Sequence, residues 1–282
     1  MELPADARLL QVRACDGRRV HDRAQALTGD GAIILDDADL DLARIGQDLF
    51  AATLVNNGQT CYAGTRILAP RARYDEVVDT FAAFASSLPV GDALDPATLI
   101  GPLVSERQRD RVERYIAKGS SDGARLVAGG GRPAGLDRGW FVEPTVFADV
   151  DNKSTIAQEE IFGPVLSVIP YTDVDDAIRI ANDSDDGLGG SVWTADPERA
   201  RAVVRRVRTG TMGINSYLPD PAGPRGGVKS SGICRELGPG AVAAYQQHQP
   251  VGAFLSQPLS LCYQRLSQRL VRVSHRDQRT DS

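Results

Sequence analysis

Cysteine and histidine are scarce in this sequence of 282 residues, and their scarcity excludes two kinds of protein. Four cysteines that lie far apart cannot form a disulfide scaffold, and three histidines offer no metal-ligand spacing. Long apolar runs are also missing: no stretch is long enough to span a membrane, and the first residues lack the apolar segment of a secretory signal. The sequence therefore predicts a cytoplasmic protein without a metal site or a membrane span.

An excess of charge of one sign is lacking as well. The sequence has 32 basic and 37 acidic residues in mixed order, for a formal net charge of -5. This balance provides neither a basic surface for nucleic acid nor an acidic block. The hydrophobic content of 42% is enough to bury a large core, so we expect a folded protein that binds small molecules.

Hydrophobic patterning predicts strands that alternate with helices. Short apolar runs predict strands over residues 32–35, 65–68, 124–128, 142–147, 165–171, 190–194 and 211–215, and helical spacing predicts helices over 40–54, 74–88, 105–118, 174–182 and 197–208. Residues 36–39, Ser105 and Pro197 are expected at helix starts. This alternation is typical of an α/β fold with a mostly parallel twisted sheet flanked by helices, in which ligands sit at the loop ends of the strands.

Two glycine-rich patterns are similar to nucleotide-binding motifs but fail on their context. Residues 129–134 fit G-x-G-x-x-A, yet Pro133 and Gly135 favour a surface turn over the helix that a dinucleotide fingerprint must open. Residues 225–232 are similar to the end of a phosphate-binding loop, but Pro221 stands where that motif needs its first glycine. Neither pattern is interpreted as a phosphate site.

One cysteine lies in a turn of small residues, from Asn56 to Gly64, between an apolar helix and a short apolar strand. Such a turn holds the thiol of Cys61 at the end of a helix. The thiol matters chemically only where a neighbouring group favours the thiolate or removes the proton, because the thiolate is the nucleophile. Cys61 is therefore a candidate nucleophile whose surroundings decide its role.

Several longer motifs, taken together and in their order, resemble those of the aldehyde dehydrogenase superfamily. They are Asn57-Gly58-Gln59-Thr60-Cys61, residues 158–165 (QEEIFGPV), residues 210–215 (GTMGIN) and residues 226–238 (GGVKSSGICRELG). The resemblance runs from about Leu27 to Val251 and covers the C-terminal, catalytic half of that family.

The resemblance implies a nucleophile, a cofactor and a substrate tunnel. Cys61 matches the catalytic cysteine, which attacks an aldehyde to give a thiohemiacetal and, after hydride transfer to NAD or NADP, an acyl-thioester that water cleaves. Glu160 and Phe162 match the residues that contact the nicotinamide-ribose end of the cofactor. Asn215 matches a residue of the substrate tunnel, as does Arg225. Arg225 stands where the family has an aromatic side chain, and this cation would suit an acidic substrate or simply reflect a relaxed constraint at this position.

The departures from the family concern the cofactor domain and the general base. The chains of the family are much longer, so the N-terminal cofactor domain is expected to be largely missing. Residues 1–26 are expected to form a poorly ordered arm, residues 27–251 the catalytic domain and residues 252–282 a divergent basic tail. The family's glutamate base has no counterpart in residues 26–31, where Asp30 falls at or beside a lysine position instead. Cys234 replaces a glycine in a turn, where a positive φ would make a β-carbon costly.

Three functions stay open at this point. The first is NAD(P)-dependent oxidation of a small-molecule aldehyde, weak in the isolated chain and completed by another chain that carries the cofactor domain. The second is a catalytically silent remnant or interaction module, and the third is a slow thiol esterase that uses Cys61. The identity of the aldehyde, the choice between NAD and NADP, and the oligomeric state, a homo-oligomer included, are left undecided by the sequence.

Overall fold

A computed structural model describes residues 31–246 of the chain. The chain divides into two compact units, residues 1–241 and residues 242–282. The described part of the first unit is residues 31–241, which contain the sheet, its helices and every candidate site residue. Asp30, the expected arm over residues 1–26 and the expected tail over residues 252–282 lie outside the described residues.

The described residues form seven strands and six α-helices. The strands are β1 (Gly31–Ile34), β2 (Arg66–Pro70), β3 (Arg125–Ala128), β4 (Thr145–Ala148), β5 (Val165–Tyr171), β6 (Gly189–Trp193) and β7 (Thr211–Ile214). The helices are α1 (Leu42–Thr53), α2 (Tyr74–Ser87), α3 (Glu106–Ser121), α4 (Thr155–Gln158), α5 (Val174–Asn182) and α6 (Pro197–Val204). Short 3₁₀ turns cover Val55–Gly58, Arg71–Arg73, Lys229–Ser231 and Pro239–Tyr245.

The seven strands form one sheet in the order β3-β4-β5-β2-β1-β6-β7. All neighbouring strands run parallel except β3, which pairs antiparallel with β4. In the centre of the sheet Ile33 pairs with Leu68 on one side and with Val192 on the other. The predicted mostly parallel sheet is therefore confirmed.

Helices cover both faces of the sheet, because successive side chains of a strand point to opposite faces. Ile33 packs in a core with residues of α3, α4, α5 and α6, among them Val112. Ala32 and Ile34 pack in a second core with residues of α1 and α2, among them Phe81. These two buried layers account for the apolar strand runs seen in the sequence.

The predicted elements differ from the observed ones mainly at their ends. The cap of α1 is Asp41, whose side chain accepts a hydrogen bond from Ala43 N at 3.0 Å, so the cap predicted within residues 36–39 is wrong. Strand β4 begins at Thr145 rather than at residue 142, because Pro144 has no N–H to donate to a ladder. Helix α4 was not predicted, since four residues are too few to show a helical period. Ser105 and Pro197 are confirmed at the starts of α3 and α6.

The turn that carries Cys61 lies at the edge of the sheet where the parallel strands begin. Helix α1 follows β1 and returns the chain to this edge, so the turn connects a helix to the start of β2. Gly64 lies against Gly31, the first residue of β1, with its virtual β-carbon 3.2 Å from the carbonyl carbon of Gly31. Ligands of parallel sheets commonly bind at the opposite, carboxyl edge. The candidate nucleophile is thus on a helix-to-strand connection.

Candidate active site

Three consecutive residues with left-handed backbone conformation shape the turn before Cys61. Asn56, Asn57 and Gly58 have φ angles of 55°, 60° and 68°. Asparagine and glycine are the residues that adopt this region at least cost. The sequence Asn-Asn-Gly therefore suits the abrupt end of α1 and sends the chain towards β2, with Cys61 partly buried on the way.

Side chains of the turn fasten it to the segment that precedes α3. The side-chain amide of Asn57 donates to Pro102 O at 3.1 Å, and its oxygen accepts from Gly101 N at 2.7 Å. The side-chain oxygen of Gln59 accepts from Val104 N at 3.1 Å. The turn is therefore held by side-chain to backbone hydrogen bonds on a segment more than forty residues away in the sequence.

The turn also lies against the backbone before β5. A β-carbon at Gly58 would overlap the carbonyl oxygen of Gly163 and would stand 2.9 Å from Pro164 N. Gly163 in turn packs on Val112 of α3, and its own virtual β-carbon would overlap that side chain. Gly58 is therefore required by close backbone approach, whereas Gly163 leaves room for the Val112 side chain.

Arg225 contacts the candidate nucleophile directly. Its Nη2 donates to Cys61 Sγ at 3.3 Å, and its guanidinium carbon lies 5.9 Å from the ring centroid of Tyr62. The ring of Tyr62 stacks edge-on against Tyr217 at 5.3 Å between centroids. The sequence assigned Arg225 to the substrate tunnel, whereas its described contact is with the sulfur itself.

Glu236 holds Arg225 in place. The two residues form an isolated antiparallel bridge in which each backbone N–H donates to the other's carbonyl oxygen at 2.7 Å, and Arg225 Nη1 also pairs with the Glu236 carboxylate. Burial disfavours the charged form of Arg225, but the attraction of Cys61 and the hydrogen bond to Glu236 outweigh it, so the pKa of the guanidinium is raised. Arg225 therefore remains a cation beside the thiol.

Glu160 and Phe162 lie on the loop between α4 and β5. Both side chains are partly exposed, whereas Ile161 between them is buried with 7% of its surface exposed. Phe162 has a left-handed φ of 58°. Gly163, which follows Phe162, is the residue against which Gly58 packs. The loop that carries the predicted cofactor contacts and the turn that carries Cys61 are therefore neighbours.

Helix α3 supports this loop through its polar face. Gln108 Nε2 donates to Ile161 O at 3.1 Å and to Phe162 O at 2.7 Å, and Arg111 donates to Glu160 O. Tyr115 adds a hydrogen bond from its hydroxyl to the Glu159 carboxylate at 2.7 Å. The carbonyl oxygens of residues 160–162 are thereby occupied by α3.

Asn215 is placed differently from Cys61. It follows the carboxyl end of β7, where its side-chain amide donates to Thr194 O and its side-chain oxygen accepts from Thr194 N, both at 2.8 Å. Its left-handed φ of 55° turns the chain out of the strand. These contacts describe a tie between the ends of β6 and β7, and the assignment of Asn215 to a substrate tunnel stays a prediction.

The glycine-rich segment over residues 226–238 is anchored by Lys229. Its ammonium group donates to three backbone carbonyl oxygens, those of Asn182, Ser184 and Asp186, at 3.0 to 3.1 Å. Cys234 in this segment is exposed and does not have a positive φ, so the conformational cost expected for replacing a glycine there is absent. The segment thus presents Arg225 and Glu236 from a fixed base.

Several residues of this site were not singled out from the sequence. Glu236 and Gln108 carried no signal, because their partners lie eleven and more than fifty residues away. Tyr62, next to Cys61 and aromatic, was a signal that could have been used, since arginine often stacks on tyrosine. The contact between Arg225 and Cys61 joins residues 164 positions apart and has no local signature.

Comparison with known proteins identifies the family that this sequence matches. A sequence model of the aldehyde dehydrogenase family matches residues 17–251. Geranial dehydrogenase of Castellaniella defragrans is 58% identical over 220 residues, which are 78% of this chain and 45% of that protein. Betaine aldehyde dehydrogenase of Brucella ovis is 45% identical over 222 residues, which are 78% of this chain and 45% of that protein.

Solved structures also match most of the chain. An aldehyde dehydrogenase of Mycobacterium tuberculosis, solved in complex with NAD+, superposes with a TM-score of 0.76 at 54% identity and covers 85% of this chain and 51% of its own. A mutant of aldehyde dehydrogenase C from Pseudomonas syringae, in complex with NAD+ and octanal, gives a TM-score of 0.77 at 39% identity and covers 82% and 48%. The chain therefore spans about half the length of the relatives it matches.

Residues 31–246 contain neither a candidate metal cluster nor a membrane-spanning helix. In this described part of the chain, no three side chains of His, Cys, Asp or Glu are grouped so that they could hold a metal ion. None of the helices described there has the length and apolar character needed to cross a bilayer.

Proposed function

The chain belongs to the aldehyde dehydrogenase family, and we propose that it takes part in the NAD(P)-dependent oxidation of an aldehyde to a carboxylic acid, with Cys61 as the nucleophile. The observation that carries the proposal is the partly exposed thiol of Cys61, held in a rigid turn with a guanidinium 3.3 Å from its sulfur. A thiol in electropositive surroundings is the kind that acts as a nucleophile.

The proposed chemistry at Cys61 has two halves. The thiolate adds to the carbonyl carbon to form a thiohemiacetal, and loss of hydride from that carbon leaves an acyl-thioester on the same sulfur. Water then cleaves the thioester, which releases the acid and restores the thiol. Sulfur suits both halves, because it is a good nucleophile in the first and a good leaving group in the second.

The cofactor contacts proposed are Glu160 and Phe162. A carboxylate that is partly exposed fits the hydroxyl groups of a ribose, and a partly exposed ring fits contact with a nicotinamide. When bound, NAD(P)+ supplies the acceptor for the hydride. Gln108 and Arg111 support this assignment, since their side chains hold the backbone of the loop that carries both residues.

The substrate class follows from the charge at Cys61. Arg225 places a positive charge against the sulfur, so an aldehyde that carries a cation is disfavoured next to the reacting carbon. We therefore propose a neutral or acidic aldehyde. Geranial, named in the description of a relative at 58% identity, is neutral, whereas betaine aldehyde carries a quaternary ammonium group.

A second candidate function is hydrolysis of activated esters at Cys61. This reaction needs a nucleophile and a group that stabilises negative charge, both of which Cys61 and Arg225 supply, and it needs no cofactor. The third alternative, a catalytically silent interaction module, requires that Cys61 react with neither substrate.

The test is protection of Cys61 by aldehyde. The full chain is treated with iodoacetamide with and without geranial, and labelling of the Cys61 peptide is followed by mass spectrometry, with Cys234 as the internal control. Geranial should slow labelling of Cys61 and not of Cys234, and NADH formation with NAD+ should be absent from Cys61→Ser. Unchanged labelling at saturating geranial would contradict the proposal. Protection without NADH would favour a complementing chain that supplies the cofactor domain.

The partner is proposed to be either a second copy of the chain or such a complementing chain, in the cytoplasm. Strands β3 and β7 are the two edges of the sheet formed by the described residues, and an edge strand offers unpaired backbone groups to another chain. Sedimentation of the purified chain would distinguish a monomer from a homo-oligomer.

A further inference from the structure

The three nitrogens of the Arg225 guanidinium differ in their hydrogen-bond partners. Nη1 pairs with Glu236 and Nη2 donates to Cys61 Sγ at 3.3 Å. Nε is buried and has no hydrogen-bond partner among the described residues. A buried N–H without a hydrogen-bond partner is energetically costly. Because this N–H belongs to a cation beside a nucleophile, it is available to donate a charge-assisted hydrogen bond to a negatively charged atom.

The other ionisable groups near the thiol do not place a positive charge beside it. Burial raises the pKa of Tyr62 and of Tyr217, so both phenols are neutral at neutral pH. Glu236 is 62% exposed, and its carboxylate is engaged with Arg225. Among these groups, Arg225 is therefore the one that places a positive charge beside the thiol of Cys61.

We infer that Arg225 is a catalytic residue, whose guanidinium stabilises the Cys61 thiolate and then the negative oxygen formed when that thiolate adds to a carbonyl. The inference rests on the proposed function. In the step concerned, the sulfur electron pair forms the bond to carbon while the carbonyl π pair moves to oxygen. One negative charge thus passes from sulfur to an oxygen two bonds away, within reach of the same cation.

A purely structural role for Arg225 makes a different prediction. The backbone bridge to Glu236 and the packing on Tyr62 would survive a neutral side chain of similar size. Removal of the charge alone would then leave the reactivity of Cys61 unchanged. Alkylation and acylation of Cys61 separate the two roles, because only acylation develops charge on an oxygen.

The experiment compares the full chain with Arg225→Gln and Arg225→Lys. Rates of labelling at Cys61 are measured with iodoacetamide, iodoacetate and p-nitrophenyl acetate, with Cys234 as the internal control and circular dichroism as the check on folding. Arg225→Gln should slow alkylation of Cys61 at pH 7 by about tenfold. Acylation should fall by a further factor of about ten to a hundred, and Arg225→Lys should recover part of both rates.

The contrary results are equally specific. Equal rates in the parent and in Arg225→Gln, or equal slowing of Cys61 and Cys234, would overturn the inference. Equal losses in the rates of alkylation and acylation would overturn the second part of the inference, which is that Arg225 stabilises the negative oxygen. Should Arg225→Gln not fold, the parent provides the test: its preference for anionic iodoacetate over iodoacetamide at Cys61 must exceed that of the urea-unfolded chain, and equality would refute the inference.

These outcomes distinguish failure of the inference from failure of the proposed function. Slower alkylation in Arg225→Gln without protection by geranial would retain the role of Arg225 at the thiolate and overturn the aldehyde proposal. Protection by geranial, together with alkylation that the substitution leaves unaffected, would retain the aldehyde proposal and overturn the role of Arg225 at the thiolate.

Discussion

Gly58 lies so close to Gly163 that a β-carbon on Gly58 would overlap the carbonyl oxygen of Gly163. Gly58 comes three residues before Cys61, and Gly163 directly follows Phe162. The contact therefore joins the turn of the candidate nucleophile to the loop of the candidate cofactor contacts through backbone alone. Close backbone contact of this kind leaves little room for the two loops to shift relative to each other.

Gly58→Ala should destabilise the protein and misplace Cys61. The substitution puts a β-carbon at a φ of 68° and into the Gly163 carbonyl, which together should cost at least about 2 kcal/mol in the free energy of unfolding. Urea titration measures this cost, and the rate of iodoacetamide labelling measures the position of the thiol.

Gly46→Ala is the matched control for this substitution. Gly46 lies within α1, and a β-carbon there would meet no atom within 4 Å. Alanine should therefore raise the free energy of unfolding by up to about 1 kcal/mol and leave labelling of Cys61 unchanged. An equal loss of stability in both variants would show that the Gly58 contact is not the cause.

Asn57 should stabilise the turn through its side chain as well as its backbone. Asn57→Gly keeps the left-handed φ and removes the two bonds to Gly101 and Pro102, so it should cost about 1 to 3 kcal/mol. Asn57→Ala should cost more, because it also strains the φ of 60°. Equal stabilities of the two variants in urea would show that backbone strain adds nothing to the loss of the side-chain hydrogen bonds.

Gln108→Glu should loosen the loop that carries Glu160 and Phe162. The change replaces the amide that donates to Ile161 O and Phe162 O by a carboxylate that repels both oxygens. Faster amide hydrogen exchange at residues 160–163 and weaker NAD+ binding are expected. Arg107→Ala, an exposed neighbour on α3, is the control and should change neither. Slow exchange in Gln108→Glu would rule out this support.

Lys229 should anchor the segment that presents Arg225. Lys229→Met leaves three backbone carbonyl oxygens without their donor, so exchange should quicken over residues 226–238 and labelling of Cys61 should slow. Lys118→Met serves as the control, because Lys118 is half exposed on α3 and pairs with Asp122. Matching effects of the two substitutions would contradict a specific anchor.

Tyr74 should make stability fall at alkaline pH. Burial raises the pKa of Tyr74 from 10.0 to about 12, so the folded state holds this proton more tightly than the unfolded state. The stabilisation is complete below pH 10 and is lost as the pH rises from 10 to about 12. Tyr74→Phe should show a shallower decline in the free energy of unfolding over this range, and a decline as steep as the parent's would contradict the assignment.

Local patterns in the sequence were sufficient for most of the sheet. Apolar runs such as 165–171 predict strands because burial on both faces requires them, and β5 has those same bounds. The start of α1 was missed because the three carboxylates of residues 36–39 have other partners: Asp39 pairs locally with Arg44, and the other two pair with distant residues. Asp37 accepts from Thr194 Oγ1 at 2.7 Å, and Asp36 pairs with Arg199, so neither carboxylate caps the helix. No local pattern reveals such partners.

The sequence named some residues of the candidate site and none of the contacts between them. Cys61, Glu160 and Phe162 were identified from motifs, and the Asn-Asn-Gly turn was visible because these residues favour left-handed backbone. The position of Arg225 on the sulfur depends on how residues 226–238 pack on the loop after α5, through Lys229. That packing is a property of the whole fold, so the contact of Arg225 with Cys61 was not foreseen.

The pairing of Arg225 with Glu236 also makes the site responsive to dissolved salt. The Glu236 side chain is 62% exposed, whereas that of Arg225 is 21% exposed and lies against Cys61. Counterions screen charges that face water far more than charges that face protein. Added salt therefore weakens the attraction between Glu236 and the Arg225 guanidinium more than the attraction between the Cys61 thiolate and that guanidinium. The reactivity of Cys61 should therefore persist, or increase, at ionic strengths that abolish ordinary surface ion pairs.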